Sequence, residues 1–155
     1  MKKWLVLVLF STAGVQAEKM PLAHSPQCTF QAVAFKMGVK INDSIPLAKV
    51  NVQSESLLQD FQDSVFDQYG FKPNTFASVY IQNQNRIFLI DDLEVYAPMN
   101  RFVDDSLAHE LVHYVQVMYQ GLVNDGSSDQ LEMDAIKVQT WYRETFMQTG
   151  LSPCE

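Results

Sequence analysis

Residues His109 to Gln116 read HELVHYVQ. If this stretch is helical, its two histidines stand four residues apart, one above the other, and can present ring nitrogens to a single point. At ~100° per residue, Leu107, Ala108, Leu111, Val112, Val115, Met118 and Tyr119 fall on one broad apolar arc, with His109, His113 and Gln116 opposite. The pattern predicts a helix with a core stripe and a separate histidine face at the edge of a cleft. Asp104 or Asp105 can cap it, and Gly121 stops it just after Gln120.

His-Glu-x-x-His spacing has a chemical meaning. Two imidazoles can hold zinc if the chain adds a third ligand and leaves a fourth position for water, whose pKa falls towards ~7. Glu110, beside His109, can accept that water's proton and pass it to a leaving amine. Paired histidines also occur on ordinary helix surfaces, so the reading depends on finding the third ligand.

The longer pattern ending in a third histidine is excluded, because Gln116 and Tyr119 occupy its glycine and histidine positions. His24, the only other histidine, lies in an N-terminal stretch that reads as a tail. The remaining source is a last helix from Asp129 to about Gln148, opened by a Ser127/Gln130 capping box and closed by Gly150 and Pro153. It offers Asp129, Glu132 and Asp134. Helical phase puts Glu132 with Ala135, Ile136, Gln139, Tyr142, Arg143 and Phe146, while Asp134 points the other way with Gln130, Lys137 and Trp141. Glu132 is therefore the expected ligand, on a more buried, mixed face where a metal or Arg143 would offset its charge. Ala135, one turn on, allows the two helices a close approach. Gln116, Arg143 and Asp129 are candidate outer partners of the ligands.

Upstream, Ser54 is placed to cap a helix carrying Leu57, Leu58, Phe61, Val65 and Phe66 on one face, ending at Gly70. Val79 to Gln82 and Arg86 to Ile90 flank Asn83-Gln84-Asn85 and predict a hairpin. Residues 18–53 read as a tail and irregular chain, in which TFQAVAFKMGV fits helix and strand equally.

The chain of 155 residues suits one domain. MKKWLVLVLFSTAGVQA has the layout of a secretory leader, two lysines, an apolar run and a small-residue ending, with cleavage expected after Ala17. Its apolar run is far short of the ~20 residues that span a bilayer, so no stable membrane anchor is expected after cleavage. The whole chain has 11 basic and 18 acidic residues, net −7; losing Lys2 and Lys3 and no acid leaves a formal −9. That balance gives no footprint for nucleic acid or an anionic membrane. Cys28 and Cys154, near the ends of the exported part, predict one disulfide in an oxidising compartment, periplasmic or secreted.

Over about Ala77 to Gln148, HELVH followed by EMDAIKVQ on the next helix resembles the gluzincin metallopeptidases, especially small secreted bacterial ones built as a minimal zincin core. The resemblance implies one Zn²⁺ held by His109, His113 and Glu132, with Glu110 as general base. It also implies a peptide or protein substrate that pairs with a strand at the cleft rim, for which the hairpin is the local candidate. The chain departs from the thermolysin-like branch. Leu131 replaces the asparagine before the ligand glutamate and Ile136 the aspartate four residues after it. The missing aspartate would have to come from Asp104, Asp105 or Asp129. Tyr119, Tyr142, Arg143 and His24 are candidates for the group that stabilises the transition state.

Together these readings predict an α+β fold: a leader over 1–17, an N-terminal segment over 18–53, and a zincin-like domain over 54–155, with 18–155 folding as one unit. The predicted activity is zinc-dependent peptide hydrolysis. The alternatives are a non-catalytic exported binding protein that keeps zinc as a staple on the same scaffold, and a metal-free binding domain.

Overall fold

In the computed structural model, which describes residues 18–123 and 128–154, the chain runs α1 (Pro26–Lys36), β1 (Lys49–Val52), α2 (Leu58–Tyr69), β2 (Val79–Ile81), β3 (Arg86–Leu89), the single-turn α3 (Leu93–Tyr96), α4 (Val103–Met118) and α5 (Asp129–Tyr142). A wider π-helical turn over Arg143–Met147 extends α5. The class is α+β. Both the leader over 1–17 and Ser127 of the expected capping box lie outside the described residues. The described N-cap of α5 is Ser128, whose side chain accepts from the Leu131 N–H.

The hairpin forms as the sequence indicates. β2 pairs antiparallel with β3, Tyr80 opposite Ile87, and the turn closes with Asn85 at φ 47°. Asparagine tolerates that left-handed conformation better than most residues. β1 adds to the other side of β3 in parallel, giving the order β1-β3-β2. Alternation along the strands then divides the interior. Tyr80, Ile87 and Leu89 join a main core with α1, α4 and α5, while Ile81 and Phe88 meet Phe61 and Val65 of α2 on the opposite face.

Residues 18–53 are not the tail and irregular segment the sequence suggests. Ser25 caps α1 by accepting from the Cys28 N–H, Pro26 opens it, and Phe30, Val33 and Ala34 are buried in the main core. Ahead of it, Lys19 bridges to Asp92, and the main chains of Met20 and Asp91 bond at 2.8 Å. His24 is fixed too: its N–H donates to Asp104 Oδ1 at 2.9 Å and its ring Nδ1 bonds the Tyr142 hydroxyl at 2.9 Å.

Two predicted caps are corrected. Ser54 lies in a 3₁₀ turn and bonds the Asp91 carboxylate instead, while Leu57 occupies the N-cap position of α2 without a side-chain bond. Neither Asp104 nor Asp105 caps α4. Phe102 is the N-cap residue, in extended conformation, and both acids sit inside the first turn. Asp105 reaches back to accept from the Phe102 N–H at 3.2 Å, and Asp104 accepts from Ala23 and His24. Among the described residues no helix is long and apolar enough to cross a membrane.

Cys28 at the start of α1 is bonded to Cys154, with Cα atoms 5.0 Å apart and a sequence separation of 126. Replacing both with serine should lower the unfolding free energy by about 4–5 kcal/mol in the chain-entropy account. Urea unfolding of the oxidised wild type and the double variant measures this; coincident midpoints would show that the bond leaves the unfolded ensemble unconstrained.

Candidate metal centre

α4 is buried on almost every side. Leu107, Ala108, Leu111, Val112, Tyr114 and Val115 are fully covered, but so are most of its polar groups: Asp104, Asp105, Glu110, His113 and Gln116. The histidine face is therefore not the open side of a half-buried helix. α5 packs across it, and the fully buried Ala135 lies in that contact.

This packing brings the predicted residues together. His109 Nε2 and His113 Nε2 are 3.2 Å apart, and the Glu132 carboxylate places Oε1 3.1 Å from the first and Oε2 3.3 Å from the second. Ligand atoms around a tetrahedral ion with bonds of ~2.0–2.1 Å stand roughly 3.3–3.4 Å apart. Each of these contacts has about that length, the two to Glu132 through different oxygens, and one donor atom from each residue lies within 4.8 Å of the others.

The protonation of the two rings can be argued from their outer partners. His113 Nδ1 is 2.9 Å from Gln116 Oε1, while Gln116 Nε2 donates to the Leu131 carbonyl at 3.1 Å. Because the amide's N–H is committed to a carbonyl, its oxygen faces the ring, and Nδ1 must donate to it. His109 Nδ1 lies 3.2 Å from Gln139 Oε1, and with the amide turned that way it donates to it as well. Both Nε2 atoms are then lone-pair acceptors, turned on each other and on a carboxylate. Three acceptors at hydrogen-bond distance with no proton between them suit a cation. Burial lowers the His109 pKa, the neighbouring His113 lowers it further, and Glu132 opposes both.

Glu110 faces the same cleft, a cavity of about 330 Å³ that also meets His109, Glu132, Gln139 and Arg101. Burial pushes its carboxyl up to about 8, against the lowering effect of a hydrogen bond from the Tyr80 main chain, with a smaller upward push from Glu132. Tyr80 lies on β2, an edge strand of the sheet. Further along that edge, the Gln68 side chain of α2 accepts from the Gln82 N–H at 2.6 Å and donates to the Tyr80 carbonyl at 3.4 Å.

Other expectations are corrected. The Glu132 side chain is 52% exposed, so burial of its charge is not what a partner must offset. Arg143 pairs with Asp105 at 3.6 Å rather than with Glu132. Asp129 is exposed in the first turn of α5; the two outer partners are glutamines, and no aspartate takes that place among the described residues. Gln116 was legible as such a partner from its place one turn beyond His113. Gln139 was visible only as a residue two turns along the Glu132 face. Of the candidates for transition-state stabilisation, Tyr142 bonds Thr29 and His24, and Tyr119 packs against Phe30 and Tyr114. The cation lining the cleft is Arg101, which no periodicity marks because it precedes α4.

No family model matches this chain, and no curated protein or solved structure does either.

Glu110 gives the metal-free protein a defined pH dependence. Its carboxyl binds a proton more tightly folded than unfolded, so its contribution to stability is complete below about 4.5 and is lost as pH rises through about 8. In chelator-treated protein, the Glu110 contribution should fall between pH 5 and pH 8 by an amount on the order of a few kcal/mol, read as the difference between wild type and Glu110→Gln. Glu110→Gln should flatten that fall. Equal pH slopes for the two proteins in urea unfolding would show that Glu110 is not held neutral by the fold.

Proposed function

We propose that this protein is an exported zinc-dependent peptidase, with His109, His113 and Glu132 holding one Zn²⁺ and Glu110 acting as general base. The observation that carries the reading is the convergence of two imidazole nitrogens and a carboxylate, with each ring's other nitrogen held by a glutamine oxygen. A purely structural zinc site closes its coordination with protein and has no use for a base. Here a buried glutamate with raised proton affinity faces the same cleft.

When bound, a zinc ion supplies Lewis acidity that polarises a scissile carbonyl and acidifies water. The chain's own residues do the rest. Glu110 takes a proton from the attacking water as its oxygen bonds the carbonyl carbon, then delivers that proton to the amine nitrogen as the C–N bond breaks. Gln116 and Gln139 hold the Nδ1 side of each ring and so turn Nε2 inward, while burial favours the neutral form of His109.

An extended peptide could pair with β2 through main-chain hydrogen bonds, taking the place of the Gln68 amide. The leader composition of residues 1–17 supports export, and the Cys28–Cys154 bond suits an oxidising compartment, periplasmic or extracellular.

The second reading, a non-catalytic binding protein stapled by zinc on this scaffold, draws on one observation: the β2 edge is already bonded by Gln68.

Metal analysis of the mature protein should find about one equivalent of zinc. Glu110→Gln should keep the metal and lose hydrolysis of an unbiased peptide library by at least about 100-fold; Glu132→Ala should lose the metal. A wild type that holds zinc and cleaves no library member would favour the binding protein. Gln116→Leu and Gln139→Leu should each weaken zinc binding about 10- to 100-fold, measured by competition with a chromogenic chelator. Unchanged affinity in both would leave the imidazoles oriented by packing alone.

A further inference from the structure

We propose that Arg101 is a specificity residue that binds a carboxylate carried by the substrate close to its scissile bond. The proposal rests on the peptidase reading and adds the substrate class. Arg101 lines the cleft with His109, Glu110 and Glu132, and its side chain is 32% exposed. Its Nε is buried without a hydrogen-bond partner, so the donors open to a substrate are the terminal N–H groups of the guanidinium. The nearest acceptor is Asp105 Oδ2, 3.7 Å away, beyond hydrogen-bond reach. That oxygen already accepts from the Phe102 N–H and also faces Arg143 at 3.6 Å.

Asp105 therefore anchors the position of the guanidinium without using its donors. A planar guanidinium with open donors beside a reaction centre matches the two oxygens of a carboxylate, which it can bind through parallel hydrogen bonds.

Two sources share this chemistry: a free C-terminus, which would make the activity a carboxypeptidase, and an Asp or Glu side chain beside the cut. Matched peptides separate them, one series differing only as C-terminal acid against amide, the other as Asp or Glu against Asn or Gln at each flanking position. With the zinc-loaded full chain, kcat/KM should favour the carboxylate member of one series by about 10- to 100-fold, chiefly through KM. Arg101→Gln should bring that ratio close to one, and Arg101→Lys should restore part of it.

Binding to the zinc-loaded Glu110→Gln protein, read by calorimetry, should show the same preference, and adding Arg101→Gln should abolish it. Absence of cleavage throughout would defeat the peptidase reading, with calorimetry still deciding the role of Arg101. Cleavage without a carboxylate preference in either series would overturn this proposal and keep the peptidase. Equal losses for both members of each pair in Arg101→Gln would assign the residue to transition-state stabilisation instead.

Discussion

The arrangement of this fold depends on a central helix that is buried all round and yet strongly polar. An unpaired polar group on α4 is costly without water, and several of these groups bond distant parts of the chain, although Asp105 bonds the nearby Phe102 N–H and leaves Oδ1 without a partner. Asp104 takes two main-chain N–H groups from Ala23 and His24, which holds the N-terminal segment. Glu110 is bonded by the main chain of Tyr80, which ties the helix to the sheet edge. Gln116 joins His113 to the Leu131 carbonyl in the first turn of α5. The candidate metal centre is thus one part of a wider requirement that α4 places on its surroundings.

The same logic explains how the two ends of the chain meet. The Tyr142 hydroxyl bonds both Thr29 of α1 and the ring of His24, and the disulfide begins at Cys28, one residue before Thr29. Burial raises the Tyr142 pKa, so it remains a neutral phenol. A covalent tie and a buried polar cluster therefore fix α1 against α5 side by side, and α5 carries Glu132 to the histidines.

Features with a local cause were legible in the sequence. The β-prone runs around Asn83-Gln84-Asn85 form the hairpin, and helical phase alone separated Glu132 from Asp134. The failures are equally specific. Asp104 and Asp105 look like caps because that is the local use of an acid before an apolar run, but distant partners and the Phe102 N–H claim them. Ser54 looks like a cap for the same reason and is claimed by Asp91, 37 positions away. β1 was missed because KVNV is short and its register is set by parallel pairing with β3. A rule of one polar and one apolar face cannot describe a helix covered on almost every side: the histidine face does border a cleft, as expected, but beneath α5. Gln139 and Arg101 carry no mark of their role, since an amide or a guanidinium acquires one only from what stands opposite it.

The choice of glutamines as outer partners has a chemical consequence of its own. An aspartate on Nδ1 would add negative charge and raise the basicity of the imidazole. A neutral amide oxygen fixes the same tautomer and ring orientation without that charge. Two neutral imidazoles and one carboxylate leave a divalent ion with a net positive charge, so its pull on nearby oxygens is only partly offset. Glu110, buried and held at high proton affinity in the metal-free state, would then face a positive centre that favours its ionised form. On the proposed reading, a cation held by His109, His113 and Glu132 would turn the site of Glu110 from one that favours the neutral carboxyl into one that favours the carboxylate, and would so couple its use as a base to metal binding.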